Sequence, residues 1–191
     1  MNISSALQQL SDSLRYLIPE LILLTGMVLL ILAGIINKNL FLFFKLLLIV
    51  ICAVAIAVTL LLWQSRPVSL FSDMLRADDF GGYFKIIIDL SAILTAILSQ
   101  KKLMHKPFEY FLFLLAIVTG AHLLVMSINF VMVVLSLELI SISSYALTGF
   151  AFNKKSTEGS LKYFLFGAVI TAVTVYGISI LYGIGGTFDF S

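Results

Sequence analysis

Glu138 is the residue with the sharpest chemical demand in this chain. It sits in Leu135-Ser136-Leu137-Glu138-Leu139-Ile140-Ser141, with no other Asp, Glu, Lys or Arg between Glu109 and Lys154. At about 1.5 Å of rise per residue, a helical carboxyl there lies roughly 15 Å or more from either end of its apolar run, too deep for so short a side chain to reach water. It must face protein or trapped water. Ser141 and Tyr145, three and seven residues on, share its face and are candidate hydrogen-bond partners. Two readings fit: a protonated carboxyl that fixes helix packing, or a titrating group on a proton or ion path, since burial brings a carboxyl toward the range where it exchanges protons.

Four further residues carry ionisable groups inside apolar runs, where each costs at least a few kcal/mol in hydrocarbon. Lys162, in Ser160-Leu161-Lys162-Tyr163-Phe164, has a long stem that can snorkel to an interface. Its depth does not match that of Glu138, so any link between them runs through water or other polar groups. Lys85 and Asp89 are spaced i, i+4, which predicts mutual neutralisation on one helix face. His122 stands amid Ala121, Leu123 and Leu124 and is expected to be a hydrogen-bonded packing residue, with a proton-relay role as the alternative.

These side chains need elements deep in apolar surroundings to hold them. The chain has 191 residues, 61% hydrophobic and 12% charged, with a mean hydropathy of +1.11. About a quarter charged is usual for a soluble domain, so lipid replaces water here as solvent. At about 20 residues per span the chain holds six spans and no separate catalytic domain. Apolar runs place them at Leu17 to Ile36, Leu42 to Trp63, Tyr83 to Leu98, Phe108 to Met126, Ile128 to Phe150 and Leu161 to Tyr182. All are expected to be helices, because a spanning segment must satisfy its own backbone and none shows the alternation of a barrel strand. The fold class is therefore all-α, a polytopic membrane protein.

Outside the spans, Ile3, Leu7, Leu10 and Leu14 recur at helical spacing, which predicts a short amphipathic helix on the membrane surface over Met1 to Arg15 rather than a cleaved signal. The stretch Arg66 to Asp79 reads as an interfacial loop or short helix. Short loops carry Arg15, Arg66 and Arg76 on one side and Lys38, Lys45, Lys101, Lys102, Lys106, Lys154 and Lys155 on the other. That asymmetry puts the N-terminus outside and the loops at Lys38, Lys101 and Lys154 in the cytoplasm. A formal charge of +2 gives no footprint for nucleic acid. His105 and His122 are the two histidines and Cys52 the one cysteine, so no haem clamp, iron–sulfur cluster or disulfide framework can be built within the chain. No strand is visible, and with it no phosphate loop, dinucleotide fingerprint or nucleophile elbow.

Several stretches together carry a family resemblance: Ser127-Ile128-Asn129-Phe130, Leu137-Glu138-Leu139-Ile140-Ser141, Ser144-Tyr145-Ala146-Leu147, Gly159-Ser160-Leu161-Lys162-Tyr163-Phe164-Leu165-Phe166-Gly167-Ala168 and Leu181-Tyr182-Gly183. They resemble subunit N of the proton-translocating NADH-quinone oxidoreductases, respiratory complex I. Asp79-Phe80 and Tyr83-Phe84-Lys85 look like the third helix of the same subunit. The resemblance implies the N-terminal part of a fold of about fourteen helices with two inverted five-helix repeats. Residues 1–106 would hold the amphipathic segment and helices one to three, and residues 107–191 helices four to six of an incomplete first repeat. It also implies proton-translocation roles for Glu138, the buried carboxylate of the half-channel, and for Lys162 near the cytoplasmic proton entry; Ser141, Tyr145 and His122 are polar relay candidates by their own positions in the spans.

The implied enzyme is the NADH:quinone oxidoreductase translocase, of which this chain is a subunit without a redox site or bound cofactor. NADH, FMN, iron–sulfur clusters and quinone belong to other subunits. The partners are the lipid bilayer and other membrane-arm subunits, in a bacterial inner membrane. The family's helix-seven lysine, partner of the helix-five glutamate, would follow where this sequence stops, so the expectation is an N-terminal fragment or partial gene product. The alternatives are a subunit of a multisubunit cation/proton antiporter or membrane-bound hydrogenase, or a non-conducting structural membrane protein.

Overall fold

The computed structural model describes residues 14–37, 40–63, 67–71, 73–100 and 106–190. In chain order they form α1 (Ile18–Ile36), α2 (Phe41–Leu61), β1 (Val68–Leu70), β2 (Leu75–Ala77), α3 (Asp79–Leu98), α4 (Pro107–Met126), α5 (Phe130–Thr148) and α6 (Lys154–Gly185). Each helix is long and apolar enough to cross a membrane. Five of the six helices begin at a side-chain cap or at a proline that needs no N–H partner, while α2 begins after Leu40 without a side-chain cap. Pro19 and Pro107 occupy first turns. The Asp78 carboxylate accepts the Gly81 N–H at 2.7 Å, and the Asn129 amide oxygen accepts that of Val131 at 2.8 Å. Asn153 and Ser156 cap α6 reciprocally. Gly186, at φ 69°, ends α6 in the left-handed region.

Helices α1 to α4 form a bundle in which α1 packs on α2 and α4, and α3 packs on α2 and α4. Its core is built from Leu23 and Leu30 of α1, Phe44, Leu48 and Ala55 of α2, Ala92 and Ala96 of α3, and Phe111 and Leu115 of α4. Lipid gives no hydrophobic reason for these helices to meet, so close packing has to supply it. At Gly26 a Cβ would come within 2.6 Å of Ile51, so the absence of a side chain is what lets α1 and α2 close up.

The remaining two helices leave this bundle. α5 packs on α4, with Gly120 pressed against it: an added Cβ would lie 2.8 Å from Ile140 and 3.1 Å from the Ser136 carbonyl. α6 packs on α5 and buries none of its own residues.

The connection expected as a loop or short helix, in a chain expected to show no strand, is a two-stranded antiparallel hairpin. It pairs Val68 with Ala77, Ser69 with Arg76 and Leu70 with Leu75. The sequence hides it because each strand has three residues, too few for alternation to register. Leu70 and Leu75 turn onto Leu17 and Met126, closing one end of the bundle. The hairpin also holds the α4–α5 connection, through a Leu75–Ser127 bridge and an Ile128 N–H donated to the Met74 carbonyl at 3.2 Å. The chain end returns to the same place. Phe130 N–H donates to the Phe188 carbonyl at 2.8 Å, and Asn129 donates to Asp189 at 2.6 Å.

α3 starts at Asp79 rather than Tyr83, and α6 at Lys154 rather than Leu161. Apolar runs mark hydrocarbon depth, whereas capped polar turns extend the helix beyond it. Of the expected N-terminal surface helix only Leu14 and Arg15 fall among the described residues. The loop residues Lys38, Arg66, Lys101, Lys102 and His105 lie outside them.

Candidate functional site

Among the described residues, two polar centres lie within the spans. The first is Glu138, about midway along α5 and half-buried, which faces α6. Its Oε1 accepts a hydrogen bond from the Thr171 hydroxyl at 2.7 Å. Around it is an open cavity of about 200 Å³ lined by Glu138, Ser141, Tyr145, Gly167, Thr171 and Thr174, among others. The predicted neighbours Ser141 and Tyr145 are therefore present as cavity wall, but the direct partner is Thr171. Sequence reading missed it because the pairing joins two helices. The available signal was the pair of hydroxyls one turn apart, Thr171 and Thr174, in an otherwise apolar run.

Towards the Asn153 end of the helix pair, the Tyr145 and Tyr163 rings meet edge to face, 4.7 Å between centroids. The Ser144 hydroxyl lies 3.3 Å from that of Tyr163. Gly167 is required here, since a Cβ would overlap the Tyr145 hydroxyl. Lys162 is not part of this cavity wall. It is exposed, and its Nζ donates to Glu158 Oε1 at 2.6 Å, one turn back on α6. The structure thus gathers Glu138, Ser141 and Tyr145, and leaves Lys162 and His122 elsewhere.

The second centre is inside the α1–α4 bundle, near the hairpin. Lys85 Nζ lies 2.7 Å from Glu20 Oε1, with both side chains almost wholly buried. His122 Nδ1 is 3.3 Å from the same oxygen. Its other ring nitrogen, Nε2, is 3.3 Å from Asp89 Oδ1, and the His122 and Asp89 side chains are 0% exposed. That second approach has ion-pair distance without the alignment of a hydrogen bond. Glu20 Oε2 and Asp89 Oδ2 are buried without a protein partner.

The expected Lys85–Asp89 neutralisation is thus corrected. The face the two share on α3 is the packed face, so α1 brings Glu20 to Lys85 and α4 brings His122 to Asp89. His122 is hydrogen-bonded, as expected, but it bridges two carboxylates rather than standing alone. Glu20 went unread because an acidic residue next to Pro19 in a first turn looks like an ordinary complement to the helix dipole. Among the described residues, no three metal-ligating side chains converge.

With this geometry in place, likenesses to known proteins become informative. The family model described as NADH:quinone oxidoreductase/Mrp antiporter, TM, matches residues 127–191, which carry α5, α6 and the returning tail. A NADH-quinone oxidoreductase subunit N of Rhizobium meliloti is 34% identical over 178 residues, covering 89% of this chain and 36% of that protein. In the respiratory complex I of Thermus thermophilus, solved with bound aureothin, a chain superposes with a TM-score of 0.79 at 28% identity, over 91% of this chain and 38% of that one. An archaeal membrane-bound sulfane sulfur reductase shares the fold, with a TM-score of 0.80 at 20% identity, over 93% of this chain and 38% of that one. This chain resembles the subunit N proteins along most of its length, and it spans 36% of the Rhizobium meliloti relative and 24% of one from Anaeromyxobacter.

Proposed function

We propose that this chain contributes to a proton-translocating membrane subunit of an NADH-quinone oxidoreductase, with Glu138 as its proton-exchanging group. The observation that carries the reading is the Glu138 carboxyl itself. It is held by a single hydroxyl in a cavity between α5 and α6, within the segment matched by the antiporter family model. One hydrogen bond leaves most of the carboxylate's acceptor capacity free for water, which suits a group that takes up and releases a proton. Ser141, Tyr145 and Thr174 supply further oxygen atoms along the wall.

Lys162 acts at the opposite end of this reading, as a charge near the entry on the side of the Asn153 turn. The Tyr145–Tyr163–Ser144 group lies between it and the carboxyl. The redox groups NADH, FMN, iron–sulfur clusters and quinone belong to other subunits, and the membrane-arm subunits are this chain's neighbours. The Lys and Arg asymmetry supports a membrane orientation with the hairpin and the N-terminus outside and the Asn153 turn inside. A second reading, a cation/proton antiporter subunit, is favoured by the shared family description.

The test is Glu138→Gln in the assembled complex, with proton translocation measured against electron transfer. The expected result is at least a tenfold loss of translocation at normal assembly, the scale on which a positioned acid–base group acts. Undiminished translocation removes Glu138 from the path. Neighbouring genes for other complex I subunits support the first reading, and antiporter genes the second.

A further inference from the structure

We infer that Glu20, Lys85, His122 and Asp89 form a second proton-binding centre, separate from Glu138, which exchanges protons with the hairpin side and leads nowhere beyond Asp89. The inference takes its physiological setting from the proposed proton-translocating function, but its geometry is independent of α5 and α6.

The first support is charge arithmetic. The buried set holds two carboxylates and one ammonium, so a neutral imidazole leaves one uncompensated negative charge among side chains that are at most 6% exposed. A net charge buried this way costs several kcal/mol. One additional proton, on the imidazole or on a carboxylate, brings the set to neutrality. Among the described residues, the titratable and polar groups around the centre and its cavity are Tyr16 just before α1, Glu20 from α1, Cys52 and Thr59 from α2, Lys85 and Asp89 from α3, His122 from α4, and Arg76 and Asp78 from the hairpin and its exit.

The second support is the way His122 is used. One ring nitrogen faces Glu20 and the other faces Asp89, each at 3.3 Å. An imidazole placed between two carboxylates can hold a proton on either nitrogen, here hydrogen-bonded to Glu20 on one side and at ion-pair distance from Asp89 on the other.

The third support is access. A cavity of about 40 Å³ touches the centre at Lys85 and is lined by Pro19, Thr59, Arg76, Asp78 and Trp63. That is room for at least one water. The Thr59 hydroxyl, buried without a protein partner, lies on this wall and is suited to bind such a water. On the far side of Asp89 the bundle core is Leu23, Leu30, Phe44, Leu48, Ala92 and Ala96. Among the described residues, the buried members of this core carry no titratable side chain but Cys52, so the inferred route from the hairpin ends at Asp89.

The experiment is infrared difference spectroscopy of the assembled complex after a pH jump, reading the carboxyl C=O bands. Asp89→Asn is expected to remove roughly half of the signal from this centre, since two interacting carboxylates share its titration. His122→Gln, which keeps a hydrogen-bonding side chain, is expected to shift the remaining band. Thr59→Val is expected to slow its rise severalfold while Glu138→Gln leaves it unchanged. Unchanged spectra in both Asp89→Asn and His122→Gln overturn the inference and leave a fixed structural ion pair. If Asp89→Asn does not assemble, the His122→Gln and Thr59→Val results decide alone. A band that survives Glu138→Gln, in a complex whose translocation is undiminished, would sink the Glu138 proposal and leave this one standing.

Discussion

The α1–α4 bundle and the α5–α6 pair handle a buried carboxylate in opposite ways. In the bundle, Glu20 and Asp89 are enclosed by three helices and met by a lysine and a histidine, with essentially no exposed surface. In the pair, Glu138 is half-buried and answered by one threonine hydroxyl, in a cavity open along a helix that buries nothing. A carboxylate thus meets cationic or titratable side chains in one place and a neutral hydroxyl in the other. Several partners from different helices surround the carboxylates of the bundle, whereas a single neutral donor meets the carboxylate of the pair.

The largest effect that separates the two regions follows from removing a carboxylate in the bundle. Glu20→Ala strands the Lys85 ammonium and is expected to cost about 3–5 kcal/mol, as breaking a buried pair does. Thermal unfolding in detergent, or loss of assembled complex on native gels, reads it. Glu20→Gln and Glu138→Gln, tested side by side, should differ, with the bundle variant the less stable. Equal stability would erase the contrast.

Packing gives the next effect. Gly120→Ala forces a Cβ against Ile140 and the Ser136 carbonyl, and overpacking of this kind costs about 1–3 kcal/mol. Gly177→Ala in α6 meets nothing within 4 Å and is expected to be neutral or slightly stabilising in the same assay. A smaller change comes from Thr171→Val, which keeps the shape and deletes the hydrogen bond to Glu138, about 1 kcal/mol. Its sharper readout is a shift of the Glu138 carboxyl band, and an unmoved band would detach Thr171 from the site. The smallest concerns Lys162. Its exposed i, i+4 pair with Glu158 is worth under about 0.5 kcal/mol, so Glu158→Gln should leave stability unchanged within error.

These differences track what was legible in the sequence. The six spans could be read because an uncharged apolar run is a local property. Glu138 was found the same way, as a charge with none near it along the chain. The network in the bundle was not, because its members belong to three helices and are linked by packing rather than by spacing. The i, i+4 rule paired Lys85 with Asp89 correctly as neighbours on a face, but it held no information about which other helices that face would meet. Glu20 and Thr171 were missed for the same reason, each being ordinary in its own helix. The hairpin escaped because three-residue strands carry too little pattern, and its stability comes from Leu70 and Leu75 docking on Leu17 and Met126.

That hairpin also makes the two regions share a part. Arg76 and Ala77 of β2 line the cavity that reaches Lys85, while Met74 and Leu75 hold Ile128 and Ser127 just ahead of α5. A rigid displacement of β2 would therefore change the mouth of one charge centre and the footing of the helix that carries the other. Two sites with no side chain in common are geared to the same three-residue strand.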